Sequence, residues 1–148
     1  MEKPIRRFQN FRWENTDLLA YKEEGSAPFK AITRQTLFCD PALHAELRYF
    51  DVSPGGYSTL ERHEHMHAVL ILRGTGTCLV GDQVYNIAAN DLVTIPAWTW
   101  HQFRAEPVSH LGFLCMVNVD RDRPALPTVD ELKALQSIPT VAAFLKGG

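Results

Sequence analysis

The chain has 148 residues, the usual size of one domain, and at that length it can bury a core without disulfide staples. The formal net charge is −2, so the sequence lacks the basic excess on which nucleic-acid and membrane-surface binders rely, and we expect neither partner. An odd number of cysteines without a CxxC pair argues against a disulfide framework and favours a reducing cytoplasm. The N-terminus has no apolar run of signal-peptide length, and no 18 apolar residues occur in succession, so we expect no export signal and no membrane span.

The chain reads as one domain in three parts. Residues 1–30 are rich in aromatic side chains and predict one or two peripheral strands or an arm that contacts a partner. In residues 31–122, short β-rich runs alternate with Gly, Pro, Asn and Asp, a pattern typical of an all-β sandwich or barrel. The predicted strands are ITRQTLF, HAELRYFDV, HAVLILR, TCLV, VYNIA, LVTI and SHLGFLCMVNV, with a hairpin turn at the Gly-Asp pair of VGDQV. Residues 123–148 predict a short helical tail.

Two helical segments are predicted in the tail. Thr128 with Glu131 three positions later forms a capping-box pattern, which predicts a short helix that ends before Pro139. A second helical turn is predicted over Val141–Leu145, ending at Gly147.

Polar side chains crowd the segment ERHEHMHAVLILRG, which places three histidines and two carboxylates within seven residues before an apolar strand. Glu61 and His63 share a strand face, because successive strand residues point to opposite sides. Each buried polar group left unpaired would cost about 1–3 kcal/mol. A bound cation would remove that cost for the whole set, and neutral imidazole and carboxylate are usual ligands of divalent transition metals.

The spacing of this segment resembles the first motif of the cupin superfamily. That motif is Gly, five residues, His-x-His, three or four residues, Glu, six residues, Gly. Here Gly55 is followed after five residues by Glu61 and His63, then by His67 three residues later and by Gly74 after six more. The order of ligand types is permuted, because Glu61 takes the first histidine position and His67 the usual glutamate position. Some bacterial cupins with four histidines also have His at the position of His67.

The second cupin motif follows at the usual distance, fifteen residues after Gly74. Asn90 replaces its first glycine, a position where Asn tolerates a positive φ. Pro96 and His101 match the motif, while Trp98 replaces the second glycine and indicates a reshaped rim beside His101.

The resemblance implies an all-β fold, the double-stranded β-helix or cupin jelly-roll barrel. It also implies a divalent metal held by Glu61, His63, His67 and His101. Ligand type alone does not separate Mn(II), Fe(II), Ni(II) and Zn(II). Cupins commonly pair through their sheets, so we expect a homodimer or higher homo-oligomer, in which the aromatic arm could cover sheet edges between subunits.

Two further residues are candidates for catalysis. Phe113, Cys115 and Val117 share a strand face, and if that face points inward, the Cys115 thiol faces the metal pocket. The alternative is an inert cysteine that packs as a small apolar residue. His65 is expected in a turn at the pocket mouth, either as a solvated histidine or as an acid–base partner.

Four arginines surround the motif and suit recognition of an anionic small molecule. They are Arg48, Arg62, Arg73 and Arg104. Most of them are expected to be surface charges, with one or two available to hold an anionic substrate.

The segments FLCMVNVDRDRPALP, ERHEHMHAVLILRG and IPAWTWHQF together resemble a subgroup of small bacterial cupins that includes manganese-dependent methylsulfurylases of methylthioadenosine salvage. This resemblance implies Mn(II), attack of Cys115 on the thioether sulfur of a methylthio-ketose phosphate, protonation of carbon by His65, and glutathione as the thiol that regenerates the enzyme. Two alternatives remain open: an Fe(II) dioxygenase or decarboxylase of a small organic acid, and a non-catalytic sugar-binding or sensor cupin.

Overall fold

The computed structural model describes residues 3–21 and 29–146. The element bounds are β1 Phe8–Gln9, β2 Arg12–Trp13, β3 Leu19–Ala20, β4 Lys30–Asp40, β5 Ala45–Tyr57, β6 His67–Val80, β7 Gln83–Ala88, β8 Leu92–Ile95, β9 His101–Ala105, β10 Leu111–Asn118, α1 Val129–Gln136 and α2 Pro139–Leu145, with a 3₁₀ turn at Pro41–Leu43.

Four long antiparallel strands close on themselves. β5 pairs with β10, β10 with β6, β6 with β9, and β9 again with β5. β7 and β8 add to β6, while β4 adds to β5 and β3 to β4. The prediction of an all-β barrel with a short C-terminal helical tail is therefore confirmed.

Two predicted turns lie inside strands. The SPGG segment belongs to β5, and the GTG segment joins two predicted strands into the 14-residue β6. Gly55 and Gly74 each have φ of +73°, so each bends its strand where the turn was predicted without ending it. β9 was not among the predicted strands, because its five residues HQFRA include only two apolar side chains.

The barrel interior holds one apolar core. Strand alternation directs buried side chains from β4, β5, β6, β8, β9 and β10 into it, as predicted for a half-buried sheet. The largest group comprises Ile32, Phe50, Val52, Val69, Ile71, Ile95, Phe103, Leu111, Phe113 and Val117. Polar side chains line the end of the barrel where the candidate site lies.

The N-terminal hairpin of β1 and β2 packs on the outside of its own barrel. Phe11 and Trp13 stack against Tyr49, with ring centroids 6.1 and 5.2 Å apart. The Gln35 amide donates to the Phe11 carbonyl at 2.7 Å and so fixes the hairpin to β4. Three two-residue strands, β1 to β3, therefore lie in the region predicted as peripheral strands or an arm, while residues 22–28 of that region lie outside the described ranges.

The tail forms the two predicted helices. Both reciprocal bonds of the Thr128–Glu131 capping box are present at the start of α1. α2 buries Val141 and Phe144 in a second apolar cluster with Leu79 of β6. The predicted end at Gly147 lies outside the described residues. Among the residues that the structure describes, no helix has the length and apolar character that a membrane crossing requires.

Candidate metal centre

Three histidines meet inside one end of the barrel. His63 lies in the segment between the backbone bridge at Glu61 and β6, while His67 and His101 are the first residues of β6 and β9. One ring nitrogen from each of the three lies within 4.8 Å of the other two. The antiparallel bridge of Glu61 with His101 brings the two motifs together, with backbone hydrogen bonds of 3.0 and 3.2 Å.

The hydrogen bonds of two rings fix their tautomers. Nδ1 of His63 lies 2.6 Å from the His65 carbonyl, and Nδ1 of His101 lies 2.9 Å from the Thr99 carbonyl. A carbonyl oxygen only accepts, so each Nδ1 carries the proton and donates it. The Nε2 lone pairs of both rings are therefore free for a cation, the arrangement usual for metal-binding histidines.

The third ring has an unsatisfied nitrogen. Nε2 of His67 is buried and has no hydrogen-bond partner among the described residues, whereas its Nδ1 lies 3.1 Å from Sγ of Cys115. A buried polar atom without a partner costs free energy, and a metal ion would remove that cost. This orphaned nitrogen, together with the two Nε2 lone pairs, fits a divalent transition metal.

Burial keeps the three rings neutral. Burial is the main cause that lowers the pKa of His63, and it lowers the pKa of His67 to about 2 and that of His101 to about 4. Mutual repulsion within the cluster adds to the shift of each ring. Protons therefore do not compete with a metal for these nitrogens near neutral pH.

Glu61 lines the same pocket but is not one of the three mutually close donors. It is buried, and its charge raises the pKa of His63 and of His101, opposing the effect of burial. Its role as the fourth ligand stays a prediction.

Cys115 lies on the inward face of β10, in contact with the histidine group. The residue is only 2% exposed, and its Sγ is 3.1 Å from Nδ1 of His67 and 3.4 Å from Nη2 of Arg48. Burial raises the pKa of the thiol, and the Arg48 guanidinium opposes that shift. A guanidinium can only donate, so one strong donor is already aimed at the sulfur.

His65 is held at the pocket mouth by Asp122, a contact that sequence reasoning missed. Oδ1 of Asp122 lies 2.7 Å from Nδ1 of His65, and its carboxylate also accepts the backbone N–H groups of Glu64 and His65. Those backbone bonds hold the pKa of Asp122 well below its usual range. The His65 ring stacks on the His63 ring with centroids 3.6 Å apart. His65 is therefore an oriented side chain. The DRDRP segment that supplies Asp122 was the only sequence signal for it.

Only one of the four predicted arginines faces this pocket. Arg48 lines it, whereas Arg62 lies over the Trp100 ring and pairs with Glu131. Arg73 pairs with Asp51 on the outer face, and Arg104 lines a separate cavity beside α2. The pocket also contains two arginines that the sequence did not single out, Arg34 and Arg121.

Trp98 has a strained conformation and does not line the pocket. It replaces a motif glycine, has φ of +55° and is 54% exposed. Its backbone N–H donates to the His63 carbonyl at 2.7 Å, which holds the loop before β9 against the histidine segment. Asn90, at the other replaced glycine, has φ of +79°, as its tolerance of this region predicts.

The pocket has a volume of about 230 Å³, which suits a small metabolite. Its polar lining includes four histidines, two carboxylates, three arginines and a thiol, and its apolar wall contains Phe50, Phe103 and Phe113. A β-barrel with a buried histidine group at one end defines a class, the small metal-binding barrels.

The chain belongs to the cupin family. The cupin domain profile matches residues 48–117. A protein of Rhodospirillum rubrum named 1-methylthio-D-xylulose 5-phosphate methylsulfurylase is 58% identical over 147 residues, covering 99% of this chain and 94% of the relative. A crystal structure of a cupin-2 domain protein from Rhodospirillum rubrum is 57% identical, with a TM-score of 0.88 over 98% of both chains. A cupin 2 conserved barrel domain protein from Rhodopseudomonas palustris is 52% identical, with a TM-score of 0.89 over 95% of this chain and 97% of the other.

Proposed function

We propose that this protein is a metal-dependent 1-methylthio-D-xylulose 5-phosphate methylsulfurylase, which removes the methylthio group and leaves 1-deoxy-D-xylulose 5-phosphate. The proposal is supported by the full-length relative with that name. The observation that carries it is the contact between Cys115 and His67, because this reaction needs a nucleophilic sulfur beside a Lewis-acid site.

The metal would be held by His63, His67 and His101, with Glu61 as the proposed fourth ligand and Mn(II) as the proposed ion. When bound there, a divalent metal supplies Lewis acidity to the ketone and adjacent hydroxyl of the substrate. The protein's part is to fix the three rings: backbone carbonyls accept from Nδ1 of His63 and of His101, and Nδ1 of His67 contacts the Cys115 sulfur.

Cys115 is the proposed nucleophile. Its thiol loses a proton to solvent, which balances the proton later added to the sugar carbon. The resulting thiolate attacks the sulfur of the methylthio group, and a disulfide bond forms between them. The bond from that sulfur to the sugar carbon breaks, and its electron pair passes to the neighbouring ketone. Nδ1 of His67 and Nη2 of Arg48 both lie within reach of Sγ, where their donor protons stabilise a thiolate as it forms.

His65 is the proposed acid. The sugar carbon that loses sulfur takes one proton and becomes a methyl group, and the protein must deliver that proton from the pocket mouth. Asp122 holds the His65 ring through Nδ1, so Nε2 is the nitrogen that remains available to give up a proton. The backbone bonds to Asp122 keep the carboxylate in place during the reaction.

The enzyme is left as a methyl mixed disulfide of Cys115, and an external thiol must regenerate it. We propose glutathione, which takes the methylthio group as a new mixed disulfide and returns the Cys115 thiol. This chemistry requires a reducing compartment, and all three cysteines are free in the structure, so we place the enzyme in the cytoplasm.

The chain is also proposed to form a homo-oligomer. The outer face of β6, β8 and β10 carries large apolar side chains that solvent reaches, among them Leu70, Leu92 and Met116. Leu70 pairs with Leu92 on β8 and with Leu114 on β10, and Met116 is two residues from Leu114 on the same face, so these apolar side chains form one patch.

The proposal is tested by metal analysis together with turnover. Purified protein is stripped with chelator, reloaded with Mn(II), and incubated with the methylthio-ketose phosphate and glutathione. We expect 1-deoxy-D-xylulose 5-phosphate to form only with metal and thiol, without oxygen uptake. Oxygen uptake on small organic acids without this product would instead favour the Fe(II) dioxygenase, and ligand binding without turnover would favour the sensor.

A further inference from the structure

We propose that Arg34 holds the phosphate of the substrate, at the end of the pocket farthest from the reacting sulfur. That this phosphate belongs to a ketose phosphate rests on the proposed function. The existence of an anion subsite rests on the structure alone.

Strand register places Arg34 on the inner wall. Arg34 of β4 is the partner of Phe50 on β5, and Phe50 is the partner of Phe113 on β10. Both phenylalanines are buried in the barrel core, and paired residues of neighbouring strands project to the same face. Arg34 accordingly lines the same pocket as the histidine group.

Arg34 carries a charge that its surroundings do not neutralise. Its Nε is buried and has no hydrogen-bond partner within residues 3–21 and 29–146. No ion pair between residues of those ranges includes it. A partly buried cation without a counter-charge is unfavourable, and a bound anion removes that cost.

The other two arginines of the pocket have other partners. Nη2 of Arg48 lies 3.4 Å from the Cys115 sulfur, so this guanidinium faces the nucleophile. Arg121 bonds the Glu46 carboxylate and donates to the Asn118 carbonyl, so its charge is already paired. Nε of Arg48 is also buried without a partner, but Nη2 of the same side chain contacts the sulfur, whereas no hydrogen bond or ion pair of the Arg34 side chain occurs within the described residues.

The order of side chains across the wall matches the order of groups in the substrate. His67 begins β6, Cys115 lies on β10, Arg48 on β5 and Arg34 on β4, each on the next strand over. Neighbouring strands lie about 4.8 Å apart. The reacting methylthio group and ketone stand at one end of a five-carbon chain and the phosphate at the other. Arg48 is next to the reacting sulfur, whereas Arg34 is one strand farther and meets the distal phosphate.

The test uses the metal-loaded full-length protein and three variants. Arg34→Gln removes the charge, Arg34→Lys keeps a charge without the planar fork, and Arg12→Gln is a matched neutralisation on the N-terminal hairpin. Calorimetric titration with inorganic phosphate measures the subsite directly. Steady-state kinetics compare the methylthio-ketose phosphate with its dephosphorylated analogue.

For Arg34→Gln, we expect phosphate binding and kcat/KM for the phosphorylated substrate to fall about 10- to 100-fold. The dephosphorylated analogue should react as with wild type. Arg34→Lys should recover part of the loss, and Arg12→Gln should match wild type. Wild-type phosphate affinity in a folded Arg34→Gln protein would overturn the subsite while leaving the proposed reaction intact. Phosphate binding that depends on Arg34, in a protein that does not turn over this substrate, would uphold the subsite and reject the reaction.

Discussion

At the scale of single residues, the candidate site depends on acceptors that hold Nδ1. The His65 and Thr99 carbonyls orient two rings, and the Cys115 sulfur contacts the third. The two carbonyl contacts leave Nε2 of His63 and of His101 without protons, and Nε2 of His67 is buried without a partner among the described residues. The pocket therefore holds its nitrogens in place before any cation binds. Keeping these rings neutral makes the stability of the metal-free protein depend on pH.

The metal-free protein should lose stability as pH falls from about 6.5, the pKa of an unfolded histidine. Below that pH the unfolded chain takes up protons that His67 and His101 do not, because their folded pKa values are about 2 and about 4. The free energy of unfolding therefore decreases throughout the range from pH 6.5 to pH 5. Thermal melts of chelated protein at pH 7.5 and pH 5 measure the effect.

His101→Gln should flatten this pH dependence, and the exposed control His44→Gln should leave it as in wild type. Carboxylates remain ionised above pH 5, so they do not contribute to the comparison. A melting temperature of the metal-free protein that is the same at both pH values would contradict the account of buried neutral rings.

Motif spacing placed His63, His67 and His101 in one site, because strand periodicity and two fixed intervals determine where these side chains point. The same reasoning did not place Asp122 or Arg34. Asp122 is 57 residues from His65 in the sequence, so their contact depends on the path of the chain after β10. Arg34 sits in a strand with a register shift, where alternation alone does not decide which side chains face inward.

At the scale of elements, the long strands depend on glycines that bend them. The sequence indicated turns at SPGG and GTG because glycine is typical of turns, but both segments continue as strand. The glycines of these two segments therefore predict correctly where the backbone bends. Whether the chain turns back or continues is decided by the neighbouring strands β10, β9 and β4, whose pairing a single sequence does not reveal.

The two bending glycines should respond differently to the same change. Gly55 and Gly74 share a φ of +73°, so alanine at either position pays about 1–2 kcal/mol for the left-handed conformation. A Cβ at Gly74 would also lie 1.7 Å from the His110 carbonyl oxygen, whereas a Cβ at Gly55 meets nothing within 4 Å. Gly74→Ala should therefore lose about 2–5 kcal/mol in total. Urea unfolding measures both variants, and equal losses would contradict the described packing at β6.

At the scale of the whole molecule, the barrel has a polar end and an apolar outer wall. The metal site, the thiol and Arg34 occupy the interior of one end, and α2 covers a second cluster with Leu79. The N-terminal hairpin covers the part of the outer wall around Tyr49. No element among the described residues covers the outer wall of β6, β8 and β10.

A charge placed on the uncovered wall should dissociate the proposed homo-oligomer. Met116 is 57% exposed and pairs with Ala68, two residues from Leu70 on the same face, so Met116→Glu should shift the mass measured by light scattering to that of one chain. Val108→Glu is the matched control, since Val108 is 91% exposed in the turn between β9 and β10. A wild-type chain that is monomeric at micromolar concentration would contradict the oligomer, and the active-site account would stand.

The central claim, that Cys115 takes the methylthio group from the substrate, is tested most directly by mass spectrometry of a single turnover. Metal-loaded protein is mixed with the methylthio-ketose phosphate without external thiol, quenched in acid and digested. Cys39→Ser provides a background without the exposed cysteine. The account predicts one methylthio group per chain on the peptide that contains Cys115, removed by glutathione and absent from Cys115→Ala, which still binds metal. Formation of 1-deoxy-D-xylulose 5-phosphate while Cys115 stays unmodified, or full turnover by Cys115→Ala, would contradict it.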